Sequence, residues 1–260
     1  MALEPQPVDS APIPALVVAA DFPSAEQALA LAGQLAGLPV WLKVGLELFT
    51  AEGPPLIRLL RDKDFAVFLD LKFHDIPNTV QGAARSATQL GVRMMTLHLS
   101  GGEAMCRAAL VGRAEAVSAA RPVPGAPNRT VPGAAPPPAP LLIGITVLTS
   151  EAGNDETLRA RVVKQAHLAR DWGLDGVVCS GREAAAVKDA LGPEFLCVCP
   201  GIRFAGEGSD DQARICSPAE AVAAGADYLV IGRPIIRAAS PRVAAERALA
   251  DMRAGREATR

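Results

Sequence analysis

A chain of 260 residues, half of them hydrophobic, has ample apolar material for a large core and the usual length of one (β/α)8 barrel. Its 26 basic residues are balanced by 28 acidic ones, which excludes a general attraction for nucleic acid or anionic membrane, so any anion site must come from a few placed groups. Five cysteines without zinc-type Cys-x-x-Cys spacing suit a reduced, cytoplasmic protein; no secretory signal opens the chain, and no apolar run is long enough to span a bilayer.

Residues 1–13 are proline-rich and read as a loose arm before a barrel expected over 14–253, with a short tail at 254–260. The apolar run 15–20 predicts a buried strand ending at Asp21, followed by a helix over about 24–38. A second short strand, 41–45, carries Lys43 inside it, and one helix is expected from there through Leu60. The third strand opens at Ala66, and Pro77 suits the first turn of a helix reaching about Leu90. A fourth strand over 94–98 and a helix ending near Ala120 follow. Residues 121–140 then hold eight prolines and no periodicity, a low-complexity insertion between the fourth helix and the fifth strand. Because it joins a helix to a strand, it is expected on the barrel face away from the chemistry.

Strand five, 141–148, closes on Thr149 and Ser150; a helix over about 155–172, strand six at 176–179 and a helix at 183–191 follow. Strand seven at 195–199 leads to a glycine-rich segment over 200–211, then a helix near 218–224. Strand eight at 228–231 ends in Gly232-Arg233-Pro234, which turns into the last helices. Eight short apolar strands alternating with helices, most with Gly or Ser at the exit, predict a closed parallel (β/α)8 TIM barrel rather than an open sheet. No Gly-x-Gly-x-x-Gly follows the first strand, which argues against a dinucleotide-binding fold.

Chemistry-bearing residues gather where strands end. On the third strand Asp70 and Lys72 share a face by alternation, while Leu69 and Leu71 share the other; Asp75 falls just beyond. A lysine between two carboxylates is a poor nucleophile and a good proton donor. Asp75 also reads as a helix cap, as does Asp21 for the helix starting at Ser24. Lys43 needs either the barrel mouth or a partner, since a lone buried lysine is costly. Thr149 can be a plain turn residue, and the stretch from Arg203 to Gln212 a flexible polar loop. His98 reads as a strand-end packing residue, His167 as a surface helix residue, and His74 gets no role. No His, Cys or carboxylate cluster has the spacing of a metal site.

Asp70-x-Lys72-x-x-Asp75 followed by Ile76-Pro77-Asn78-Thr79 closely resembles the signature of the orotidine 5′-phosphate decarboxylase family, and the likeness extends from about residue 15 to 236, interrupted by the insertion. The resemblance implies cofactor- and metal-independent decarboxylation of orotidine 5′-monophosphate to uridine 5′-monophosphate. Lys72 would protonate C6, with Asp70, Asp75 and Lys43 completing the charged network. It further implies nucleotide contacts from Asp21 and Lys43, a pyrimidine contact from Thr149, and a phosphate site from Arg203, Gln212, Gly232 and Arg233. Asp75 and Thr79 would reach into a partner's site in a homodimer. Two rivals stay open here. Sugar-phosphate decarboxylases or aldolases on the same scaffold carry the same motif but hold a metal with an acidic ligand near the second strand, where this chain has Lys43. The other rival is a phosphate-binding barrel without catalysis.

Overall fold

The computed structural model describes residues 14–120, 138–147, 155–204 and 216–259. Eight parallel strands close on themselves in chain order: β1 (Ala15–Ala19), β2 (Val40–Gly45), β3 (Ala66–Phe73), β4 (Met94–His98), β5 (Leu141–Ile145), β6 (Gly176–Val178), β7 (Leu196–Cys199) and β8 (Tyr228–Ile231). The helices are α1 (Ala25–Leu35), α2 (Leu46–Glu52), α3 (Pro54–Arg61), α4 (Pro77–Gln89), α5 (Gly102–Ala120), α6 (Asp155–Asp171), α7 (Gly181–Leu191), α8 (Pro218–Ala223), α9 (Arg233–Ile236) and α10 (Pro241–Glu257). This is the TIM barrel that the strand–helix alternation predicts.

The two-residue period of a strand sorts its side chains into two cores. Val17, Ala19, Phe68, Met94, Ile143, Val198 and Val230 point inward and fill the barrel. Their neighbours Leu16, Val18, Leu42, Val67, Leu69, Met95, Leu142 and Leu229 point outward and pack beneath the helices. At the entry ends of β2 and β8, Trp41 meets Tyr228 edge-on with ring centroids 5.1 Å apart. The interior is therefore plugged from below, and only its upper, C-terminal end is left for polar groups.

Three boundaries differ from the expectations. The single helix expected through Leu60 is two helices, because Gly53 takes a φ of +63° and Pro54 and Pro55 begin a new first turn. Strand five stops at Ile145 instead of Leu148. The last helix continues to Glu257, past the expected tail boundary, and Gly255 lies tight against Ala219 of α8. The arm at 1–13, most of the insertion (121–137), Thr149 and Gln212 lie outside the described residues.

Helices α4 and α5 approach closely around Gly112, where a Cβ would run into the carbonyl of Gln81. Above that contact Glu115 accepts bonds from Gln81 Nε2 at 2.7 Å and Arg85 Nη1 at 3.0 Å. Gly112→Val should therefore push the helices apart and cost about 1–3 kcal/mol by overpacking. The check is the urea midpoint; an unchanged midpoint would mean the pair separates freely.

Candidate active site

Four adjacent strands deliver charged or polar groups to the barrel mouth. Lys43 follows Trp41 on the inner face of β2, Asp70 follows Phe68 on β3, and Thr96 follows Met94 on β4. Asp21 stands just past the end of β1. Lys43 Nζ lies 3.0 Å from Asp21 Oδ1 and 3.7 Å from Asp70 Oδ2, while Lys72 Nζ lies 2.8 Å from the same Asp70 oxygen. Thr96 Oγ1 donates to Asp70 Oδ1 at 2.8 Å. The chain Asp21–Lys43–Asp70–Lys72 thus alternates in sign across three strand ends. The Lys43 side chain is only 10% exposed, so its cost of burial is met by the two carboxylates.

Asp70 holds its charge against its surroundings. Burial alone would raise its pKa, but the nearby charges of Lys43 and then Lys72, with hydrogen bonds from Lys72 and Thr96, outweigh burial and lower it. Lys43, Asp70 and Lys72 form one wall of a cavity of about 130 Å³. The opposite wall is apolar: Ile145, Val147, Val178, Val198, Pro200 and Val230. A site of this kind sets fixed charges against a dry surface, which strengthens every interaction made inside it.

Strict alternation correctly puts Asp70 and Lys72 together but misses how. Between Leu69 and Phe73 the chain advances four residues on β3 while β4 advances two, from Met95 to Leu97. Inside this bulge Lys72 adopts φ +51°, a left-handed conformation unusual for a lysine. Its backbone N–H donates to Thr96 Oγ1 at 3.0 Å instead of to the strand ladder. Sequence reasoning passed over Thr96, although a fully buried hydroxyl on the inner face of an apolar strand is a signal that a polar partner lies opposite.

Neither aspartate acts as a helix cap. At the start of α1 the Ala25 N–H is taken by Glu52 Oε1 at 2.8 Å, and Asp21 turns to Lys43 instead. Asp75 is exposed; its Oδ1 accepts the neighbouring Ile76 N–H, at 2.6 Å, and Ile76 occupies the cap position of α4. Thr79, in the first turn of α4, is also exposed, beside an Ile76 that is 66% exposed. His98 sits at the end of β4 with its ring 5.4 Å from that of His74, so His74 has a partner after all. Burial, followed by the charges of His74 and Lys72, lowers the His98 pKa.

Of the expected phosphate groups, Arg203, Gly232 and Arg233 lie among the described residues. Gly232 caps α9, which starts with Arg233, and a Cβ on Gly232 would stand 3.7 Å from Asp21 Oδ2. This places the end of β8 directly beside the charged chain. Arg203 is buried at the root of the segment leaving β7, where Ile202 bridges Cys216, and its Nη1 donates to the Ile202 carbonyl at 2.9 Å. Among the described residues no group of three or more His, Cys, Asp or Glu side chains is arranged to hold a metal ion.

Against this geometry, the model of the orotidine 5'-phosphate decarboxylase / HUMPS family matches residues 14–248. An orotidine 5'-phosphate decarboxylase of Nitratidesulfovibrio vulgaris (strain DSM 19637 / Miyazaki F) is 50% identical over 261 residues, covering 92% of this chain and 98% of that one. One of Chromobacterium violaceum is 48% identical over 236 residues, covering 88% and 87%. The crystal structure of orotidine 5'-phosphate decarboxylase from Lactobacillus acidophilus superposes with a TM-score of 0.75 at 31% identity, covering 92% of this chain and 99% of that one.

Asp70 supplies a test of the electrostatics. A carboxylate held below its ordinary pKa contributes stability above the unfolded value, about 3.9, and that stability is lost as pH falls through the lower folded value. Asp70→Asn should cost about 1.5–3 kcal/mol at neutral pH, the worth of a hydrogen bond to a charged group. The gap between variant and parent should narrow below about pH 4. Urea unfolding at both pH values measures it, and a gap of constant size would contradict the assignment.

Proposed function

The chain belongs to the orotidine 5′-phosphate decarboxylase / HUMPS family, and from that membership we propose that it converts orotidine 5′-monophosphate to uridine 5′-monophosphate, the last step of UMP synthesis. The observation that carries this reading is the Asp70–Lys72 pair at 2.8 Å, with Lys43 beside it and an apolar wall opposite. When the bond from C6 to the carboxylate breaks, CO2 leaves and the electron pair stays on C6. An ammonium held there stabilises that charge and then transfers its proton to C6, and Lys72 regains a proton from water. Asp70, against the departing carboxylate, keeps Lys72 aimed. The neutral CO2 is received by a surface of valine, isoleucine and proline, which favours it over the anion it came from.

Lys43 separates this reading from the metal-dependent relatives of the same scaffold. A divalent cation bridging Asp21 and Asp70 would have to occupy the place of the Lys43 ammonium, which already lies 3.0 and 3.7 Å from those carboxylates. Catalysis therefore rests on Lys72, Asp70, Asp75 and Lys43. Asp21 contacts the nucleotide and Lys43 its ribose, Thr149 reads the pyrimidine, and Gly232 and Arg233 bind the phosphate with Arg203 and Gln212. Asp75 and Thr79 are contributed across the interface of a homodimer; their exposure beside Ile76 in the single chain supports this. A cytoplasmic location is supported by five cysteines that are all free thiols.

Purified protein should convert orotidine 5′-monophosphate in the presence of a chelator, and Lys72→Ala should lower that rate about 10²- to 10⁴-fold while leaving the fold intact. Activity lost in chelator and restored by Mg2+ would point instead to the sugar-phosphate chemistry. The phosphate takes no part in bond breaking, so its binding energy serves to close and order the site. Arg233→Ala should reduce kcat/KM on the phosphorylated substrate by about 2–5 kcal/mol and scarcely change the slow reaction of the nucleoside. Equal losses on both substrates would make Arg233 a support of the barrel.

A further inference from the structure

Lys72 is held at two points. Its ammonium is gripped by Asp70 Oδ2 at 2.8 Å, and its backbone N–H by Thr96 Oγ1 at 3.0 Å. Thr96 in turn donates to the other Asp70 oxygen at 2.8 Å, so Lys72, Thr96 and Asp70 close a ring of hydrogen bonds. The directions are forced. An ionised carboxylate only accepts, so the single hydroxyl proton must go to Asp70, which leaves the oxygen lone pairs to receive the Lys72 N–H.

That N–H needs an acceptor because the bulge removes it from the β3–β4 ladder, and the left-handed Lys72 backbone carries a cost of its own. Thr96 is completely buried, so no water takes its place. We infer that Thr96 is a positioning residue for the decarboxylation, holding the bulged Lys72 backbone and the Asp70 carboxylate in one geometry so that the ammonium meets C6. A valine at this place would keep the shape and β propensity of the strand and remove only the hydroxyl. The inference rests on the decarboxylase reading for its effect on turnover, and on the hydrogen bonds alone for its effect on Lys72.

The test compares Thr96→Val, Thr96→Ser and Thr96→Ala with the parent. Thr96→Val should lower kcat about 10- to 100-fold, the order that a misplacement of about 1 Å costs, with KM for orotidine 5′-monophosphate within about 3-fold of the parent. Thr96→Ser should stay within about 3-fold of the parent in kcat, since it restores the hydroxyl without the methyl group. Should the valine variant fail to fold, Thr96→Ala against Thr96→Ser makes the same comparison. Amide exchange of Lys72, followed by NMR, should quicken in the valine or alanine variant and not in the serine variant. A parent that does not turn the substrate over overturns the decarboxylase reading, while the exchange result still judges Thr96. Undiminished kcat without the hydroxyl, a serine variant as impaired as valine, or unchanged Lys72 exchange would each overturn the positioning role.

Discussion

Everything at the barrel mouth depends on keeping one buried carboxylate ionised. Asp70 is taken largely out of water, and its charge survives because two ammonium groups and a hydroxyl converge on it from β2, its own strand and β4. Remove Asp70 and the others lose their reason to be where they are. Lys43 would face only Asp21, Lys72 would swing free of its anchor, and Thr96 would be a buried hydroxyl without its acceptor. The network therefore links neighbouring strands through side chains at the level where the β3–β4 register slips. The low-dielectric wall across the cavity makes each contact stronger and each vacancy more costly.

Much of this was legible in the sequence because a barrel strand states its architecture twice. Its alternation shows which side chains turn inward, and the point where inward residues change from apolar to charged marks the mouth. Phe68 followed by Asp70, and Trp41 followed by Lys43, give that transition directly. What stayed hidden was set by geometry that no alternation encodes. The Lys72 backbone conformation arises from a mismatch between two strands, which neither strand reveals alone. Thr96 was overlooked because threonine is an ordinary strand former, so its hydroxyl carried no warning until its neighbours were known. The break at Gly53 was visible in Gly53-Pro54-Pro55, yet apolar residues on both sides suggested a continuous helix. Asp21 could be told from a helix cap only once Glu52 was seen to take the first amide of α1.

The two histidines show the same limit. His74 and His98 follow directly on the paired residues Phe73 and Leu97, so it is the shifted β3–β4 register that brings their rings together. The Met105 thioether and the His74 ring both pack against Gly101, where the chain turns beneath them. The segment that presents Asp75 thus rests on a packed base even though Asp75 itself is exposed.

The alternating chain Asp21, Lys43, Asp70, Lys72 sums to no net formal charge. Its field therefore fades quickly with distance, as that of a row of opposed dipoles does, and it draws nothing in from solution. Capture of an anion by this mouth therefore falls to cations outside that chain, whose long-range pull is screened by salt. The two stages of the encounter are governed by different physics: arrival varies with ionic strength, while the event at the centre, shielded by the protein, is nearly indifferent to it.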